Sequence, residues 1–411
     1  MESKAYRLGT HRNSKPHETL ARLEPLLTPM GITRVANVTG LDRIGIPVYN
    51  ACRPLSFSIS VSQGKGSEPL AAKVSAIMES VESFHAENIT LPVITGSTRQ
   101  LQRRYHLADT ENIARAGFQM LALDTSIHWI EGTNLFDQQP CWVPMEPVTT
   151  DYRYPSAPGN GYFAANTNGL ASGNTLIEAT CHAIFEVIER DAEALWNQRP
   201  DRAQAETGMD PDSVDDPNCR WLLEKFAAAD CEVRIWDLTS DVGLPCFTCL
   251  VMGNEHDWAD PETGTGCHAT KAVALARALS EAAQARATFI AGSRDDVGLP
   301  EYRRTVRQRR RAQGLRQFAA HRPIRPFSQI ASFQHAYLED DLQLCLEQLD
   351  NIGIRQVIAV DLSKPEFDIP VVKVVVPGLE GAHGHWHGAY VPGRRAREVL
   401  DLPFDMSAIP A

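Results

Sequence analysis

Residues 174–190 read NTLIEATCHAIFEVIER, and the placing of their acids decides how the chain is read. Ile184, Phe185 and Ile188 recur at helical spacing, as in a helix packed on a core. Glu178, Glu186 and Glu189 nevertheless lie beside that apolar stripe. At ~100° per residue the three carboxylates fall within about a quarter-turn of one another. Clustered, partly buried carboxylates repel and resist ionisation, so a cation is expected beside them, either Arg190 or a bound metal.

Two further stretches repeat this plan. AAKVSAIMESVESFHAE at 71–87 carries Ser75, Glu79 and Glu82, and ATKAVALARALSEAAQARATFI at 269–290 carries Arg277, Glu281 and Gln284. Both follow one spacing, four residues and then three, which puts each trio on one helix face. The quoted stretch opens with Asn174 and Glu178, also four apart. A solvated face is the ordinary explanation of such a stripe. Surface stripes usually mix in lysine, however, and 75–87 holds Glu79, Glu82 and Glu87 with neither lysine nor arginine. Five glutamates (79, 82, 178, 186 and 189) facing a common cleft would call for divalent cations. Hard oxygen ligands suit Mg²⁺, which proteins commonly bind together with substrate phosphates. Arg190, Arg277 and Lys65 would then bind phosphate oxygens, the arginines as two-pronged donors.

Three other places share a β-rich run, an Asp-containing turn and an Ile-Pro or Leu-Pro that opens a second run. They are 31–49 with Asp42, 231–251 with Asp237 and 352–376 with Asp361. Proline at the start of a strand is tolerated there. Two of these pairs lead through glycine turns, GKG at 64–66 and GTG at 264–266, into the helices above, and the loop NTNGLASGN at 166–174 precedes the remaining helix. The expected fold is α/β in the broad (α+β) sense, with internal pseudo-repeats and helices packed on largely antiparallel sheets; βαβ units stay open. The acidic, Pro- and Gly-containing stretch 201–218 marks a seam. The expected division is an N-terminal segment 1–30, a first half 31–200, a second half 219–393 and a tail 394–411.

The 411 residues, 43% hydrophobic and 22% charged, have an ordinary soluble composition. There is no apolar run of membrane-spanning length and no signal-peptide core at the start. Nine scattered cysteines, an odd number, point to a reducing, cytoplasmic setting. A net charge of −11 disfavours general nucleic-acid binding. The arginine run RRTVRQRRRAQGLR at 303–316 reads as a solvated helix face or as a dock for an acidic partner.

On SAIMESVE at 75–82, NTLIEATCHAIFEVIER at 174–190 and RALSEAAQAR at 277–286, the chain resembles the YcaO family of ATP-dependent peptide-backbone-modifying enzymes. The resemblance covers roughly 30–390, and the joint spacing of three motifs is specific. It implies a YcaO-like fold and an ATP site without a Walker loop. By position, Ser75, Asn174, Glu178, Arg190, Arg277 and Glu281 would contact nucleotide, with Lys65 and Gln284 beside them. Glu79, Glu82, Glu186 and Glu189 would hold magnesium. Asn174 stands where relatives often carry Gln, a difference of reach rather than of chemistry.

The family activates a backbone amide: a nucleophile adds to the carbonyl carbon, ATP phosphorylates the oxygen, and phosphate leaves. A peptide side chain as nucleophile gives an azoline, an amine gives an amidine, and sulfide gives a thioamide. Azoline-forming members typically end in PxPxP, whereas this chain ends DLPFDMSAIPA, with Pro403 and Pro410 far apart. A leader-binding or E1-like domain is not expected, because the resemblance begins almost at once. GTHR at 9–12, SQGKG at 62–66, GSRDD at 292–296 and VPGLEG at 376–381 resemble the branch that works with TfuA proteins. That resemblance implies thioamide formation in a ribosomally made peptide or protein, with a TfuA-like partner delivering sulfur. An azoline or amidine cyclodehydratase and a noncatalytic nucleotide-binding accessory protein are the alternatives. A homodimer is one arrangement open to the chain.

Two clusters compete with this reading. CFTC at 246–249 sits in an expected strand, and a redox or zinc role would need partners that the sequence does not supply. AHGHWHGAY at 382–390 puts His383, His385 and His387 on one side if extended. They could ligate zinc, serve as general base at the mouth of the site, or belong to a structural loop.

Overall fold

The computed structural model describes residues 1–117, 119–154, 159–254, 260–381 and 391–401. The chain divides into two compact units, Met1–Val81 with Arg199–Leu338 and Glu82–Gln198 with Glu339–Ala411. Each unit is drawn from two separated stretches, whereas the halves read from the sequence are consecutive. The passage at Gln198 to Arg199 falls just before the acidic stretch 201–218. That stretch itself contains a short helix, Asp201–Ala205, and a strand, Gly208–Met209.

All three proline-opened plans are antiparallel hairpins. In the first unit Arg34–Asn37 pairs with Val48–Cys52, and Cys231–Asp237 pairs with Cys246–Gly253. In the second, Ile358–Asp361 pairs with Val371–Val375. Pro47, Pro245 and Pro370 each stand immediately before the second strand, where a missing N–H removes no ladder bond.

The first unit extends its hairpins into two sheets. Val61–Lys65 joins Val48–Cys52 to make three strands. Glu262–Cys267 and Gly208–Met209 flank the other hairpin to make four. The second unit holds one six-stranded sheet in the order Val93–Ser97, Ser126–Asn134, Ile358–Asp361, Val371–Val375, Leu170–Ser172, with Gln139–Pro144 beside Ser126–Asn134. Every pairing between these strands is antiparallel, which removes the βαβ alternative for the described strands.

The expected glycine turns are a correction. Gly64 and Lys65 close the strand Val61–Lys65, and 264–266 lie inside the strand Glu262–Cys267. These glycines are needed for close approach. A Cβ on Gly64 would collide with Ala72 O and Ala76 N of the helix Pro69–Glu87. One on Gly264 would collide with Ala278 O and Ala282 N of the helix Lys271–Ala291. A strand without side chains at these points lets helix backbone lie directly on it.

The core of the first unit is built from Phe226, Ile235, Phe247, Val251, Leu275 and Leu279, all buried. Cys249 belongs to the same core and donates its thiol to Ala278 O at 3.2 Å. Cys246, three residues away on the strand, points to the opposite face, so CFTC is not a facing thiol pair. The arginine run lies in the helix Arg304–Ala320. Arg307 pairs with Asp260 and Arg310 with Glu301, while Arg304, Arg309 and Arg316 are exposed. Among the described residues, no helix is long and apolar enough to cross a membrane.

In the second unit, Thr175 caps the helix Leu176–Asn197 by accepting from Glu178 N. Ala179, Ile184 and Ile188 are buried to within 1%. The expected loop before this helix contains the strand Leu170–Ser172.

Candidate active site

The candidate residues fall into two sets, one in each unit. In the first unit, Lys65 at the end of its strand meets Glu281 of the helix Lys271–Ala291 at 2.7 Å. Glu79, on the helix Pro69–Glu87, accepts from the backbone N–H of Gln63 at 3.0 Å. Burial is the dominant influence on Glu79 and raises its carboxyl above the ordinary range, with Glu281 pushing the same way. The Gln63 N–H, Arg294 and Lys65 oppose that rise. Ser75, Arg277 and Gln284 are half-buried on the same two helices, and the Gln284 carbonyl accepts from Thr288. The Ser75–Glu79 and Arg277–Glu281–Gln284 spacings therefore lie on single helices, as expected.

The second unit carries Glu82, Asn174, Glu178, Glu186, Glu189 and Arg190. Glu82 Oε1 accepts from both Ser172 N at 2.8 Å and Ser172 Oγ at 2.6 Å. Glu178 Oε1 accepts from Asn174 N and Asn174 Nδ2 at 3.1 and 3.0 Å. Glu178 is 3% exposed and Glu189 1%. Burial this deep does not fit a solvated helix face, where a carboxylate keeps its water shell. Arg190 lies 3.7 Å from Glu189 and 3.2 Å from Glu193. One half-buried guanidinium thus serves two carboxylates. Glu186 exerts its field on Lys373, a fully buried lysine of the strand Val371–Val375. Burial lowers the Lys373 ammonium from its ordinary value to about 7, while Glu186 pulls it upward.

Below this set lies a buried clasp. Asp191, 0% exposed, accepts from Arg395 Nε at 2.8 Å and Arg395 Nη2 at 3.0 Å, and from Glu380 N at 2.9 Å. Burial raises the Asp191 carboxyl, against the pull of Arg395. Glu380 in turn accepts from Gly393 N and Ala396 N, fixing the start of the helix Arg394–Leu400.

Sequence reasoning missed Ser172, Arg294, Lys373 and this clasp. Ser172 and Arg294 lay inside stretches singled out for other reasons, ASGN and GSRDD, and their partners are about 90 and 215 residues away in sequence. Lys373 had a signal, a lone charge in the apolar run VVKVVV, that passed as strand patterning. His383, His385 and His387 lie outside the described residues, as does the chain end after Asp401.

The carboxylate sets offer oxygen donors held away from water, a donor chemistry that fits magnesium. Comparison with known proteins agrees. Residues 63–380 match the family model described as YcaO cyclodehydratase, ATP- and Mg²⁺-binding. An uncharacterized protein in the tfuA 3′ region of Rhizobium leguminosarum bv. trifolii is 36% identical over 373 residues, 89% of this chain and 87% of that one. The structure of YcaO from Methanopyrus kandleri, bound with AMPPCP and Mg²⁺, superposes with a TM-score of 0.74 at 23% identity, covering 92% of this chain and 95% of that one. A heterocyclase in complex with substrate and cofactor also gives 0.74, at 20% identity, over 93% of this chain and 55% of the heterocyclase. The spacing of the acidic helices, the antiparallel sheets under them and the matched span of 63–380 agree, and the chain belongs to the YcaO family, whose cofactors are ATP and Mg²⁺.

Proposed function

We propose that this protein activates a backbone amide of a ribosomally made peptide or protein by ATP-dependent O-phosphorylation, and that sulfide is the nucleophile, giving a thioamide. The observation that carries the ATP reading is the burial of two carboxylates, Glu178 and Glu189, on one helix within the span 63–380 that matches the ATP- and Mg²⁺-binding family model. In the second unit Glu82, Glu186 and Glu189 are assigned to Mg²⁺, and Asn174, Glu178 and Arg190 to the nucleotide. In the first unit Glu79 is assigned to Mg²⁺, and Lys65, Ser75, Arg277, Glu281 and Gln284 to the nucleotide. Bound Mg²⁺ supplies charge neutralisation to the triphosphate. The protein supplies position: Ser172 fixes the Glu82 carboxylate, Asn174 fixes Glu178, and Gln63 fixes Glu79. Such fixed donors need no rearrangement when charge moves.

The choice of sulfide is supported by the relative encoded in a tfuA 3′ region, which makes a TfuA-like sulfur-delivery protein the proposed partner. Azoline or amidine formation is the second reading, supported by the likeness to a heterocyclase and by the family description. Incubating the protein with Mg²⁺, ATP, sulfide, the TfuA-like partner and candidate peptides separates the two by mass. Exchange of oxygen for sulfur adds about 16 Da and cyclodehydration removes about 18 Da, the arithmetic of the two reaction classes. Loss of mass without sulfur uptake would overturn the thioamide reading.

A further inference from the structure

Within the second unit lies a small cleft of about 50 Å³ lined by Ile113, Asn166, Asn168, Val187, Lys373 and Leu379, among others. Lys373 is 2% exposed in a strand whose other residues are valines. A lysine stem tolerates burial, but its ammonium has three hydrogens to place. Among the described residues one hydrogen bond is formed, to Asn166 O at 2.6 Å. Across the same lining, Asn168 Oδ1 is buried without a hydrogen-bond partner. The walls therefore present spare donors and a spare acceptor among apolar side chains. An anion is a poor match, because the carboxylate of Glu380 also lines the cleft and the field of Glu186 reaches Lys373. A secondary amide fits: it is neutral, accepts at oxygen and donates at nitrogen.

We propose that this cleft seats a backbone amide of the peptide substrate, with Lys373 donating to the carbonyl oxygen and Asn168 Oδ1 accepting the N–H. The assignment rests on the peptide-modifying reading above and deepens it. A fixed ammonium at the carbonyl oxygen favours charge that builds there when a nucleophile adds to carbon. Val187 and Leu379 give the same lining apolar side chains.

The test needs neither ATP nor metal. The chain has eight lysines, so protein carrying ¹³C at lysine Cε gives a sparse spectrum in which Lys373 is assigned by its loss in Lys373→Met. If that variant does not fold, Lys373→Arg serves. Titration with N-acetylglycine N-methylamide is expected to shift the Lys373 signal saturably, and Asn168→Leu to weaken the affinity about tenfold, as for one lost buried hydrogen bond. A stationary Lys373 signal, an equal response to sodium acetate, or unchanged affinity in Asn168→Leu would overturn the amide assignment. Failure of Mg²⁺-dependent ATP turnover would instead sink the functional reading and leave this titration untouched.

Discussion

Glu189 shows most directly what one side chain contributes. It is buried beside the half-buried Arg190, which it shares with Glu193. Carboxylates gathered on one helix repel one another when no metal is bound, so Glu189→Gln should leave the thermal midpoint of the apo protein equal or higher while abolishing Mg²⁺-dependent ATP turnover. A clear fall in the apo midpoint would mark Glu189 as part of a structural ion-pair network instead. Glu262 gives a pH test away from this group. Burial, reinforced by Asp260, raises its carboxyl to about 7, against the pull of Arg310 and Arg286. A raised folded-state value means that the neutral form is favoured in the fold. Its contribution is full below the ordinary carboxyl range near pH 4.5 and is lost as pH rises through about 7. Glu262→Gln keeps the neutral form, so the variant should gain on the native chain between pH 5 and 8, by on the order of 2 kcal/mol. Chemical unfolding across that range reads the gain, and a constant offset would refute it.

At the scale of elements, the hairpins were legible and the glycines were misread. Alternating apolar residues closed by Ile-Pro or Leu-Pro specify a strand start by local chemistry alone, and Pro47, Pro245 and Pro370 stand one residue before their strands. Helical spacing likewise placed the acids on single helices. Glycine is ambiguous in a sequence, because it marks either a turn or a point where another backbone comes close. Gly64 and Gly264 are the second kind. Ser172 and Arg294 were illegible for a related reason: each acts on a residue brought near only by the finished fold, whereas the lone charge of Lys373 was visible and passed as strand patterning. Gly264→Ala should therefore cost about 2–4 kcal/mol in chemical unfolding, because the added carbon meets helix backbone that cannot rotate away. Gly40→Ala, where nothing lies within 4 Å of the added carbon, should change stability little.

For the molecule as a whole, ligand linkage offers the most general check. A ligand that binds the folded form alone stabilises it by about 2.7 kcal/mol at a hundred times its dissociation constant. Mg²⁺ with a nonhydrolysable ATP analogue should raise the thermal midpoint of the native chain by a few degrees and leave that of Glu189→Gln unmoved. Either salt or analogue alone should do less than both together. The tail permits a second expectation. The residues after Phe404, DMSAIPA, lie outside the described residues and lack a regular proline repeat. Truncation there should leave ATP hydrolysis and peptide modification largely unchanged, and loss of peptide modification alone would favour cyclodehydration. Finally, the order of strands in the six-stranded sheet sets a timetable for synthesis. Ser126–Asn134 and Leu170–Ser172 leave the ribosome early, but their partners Ile358–Asp361 and Val371–Val375 come near the end of the chain. At about 5–20 residues per second, those early strand edges wait tens of seconds for their neighbours. A nascent chain released before residue 371 would carry Leu170–Ser172 with its pairing edge open, the state in which chaperones find their clients.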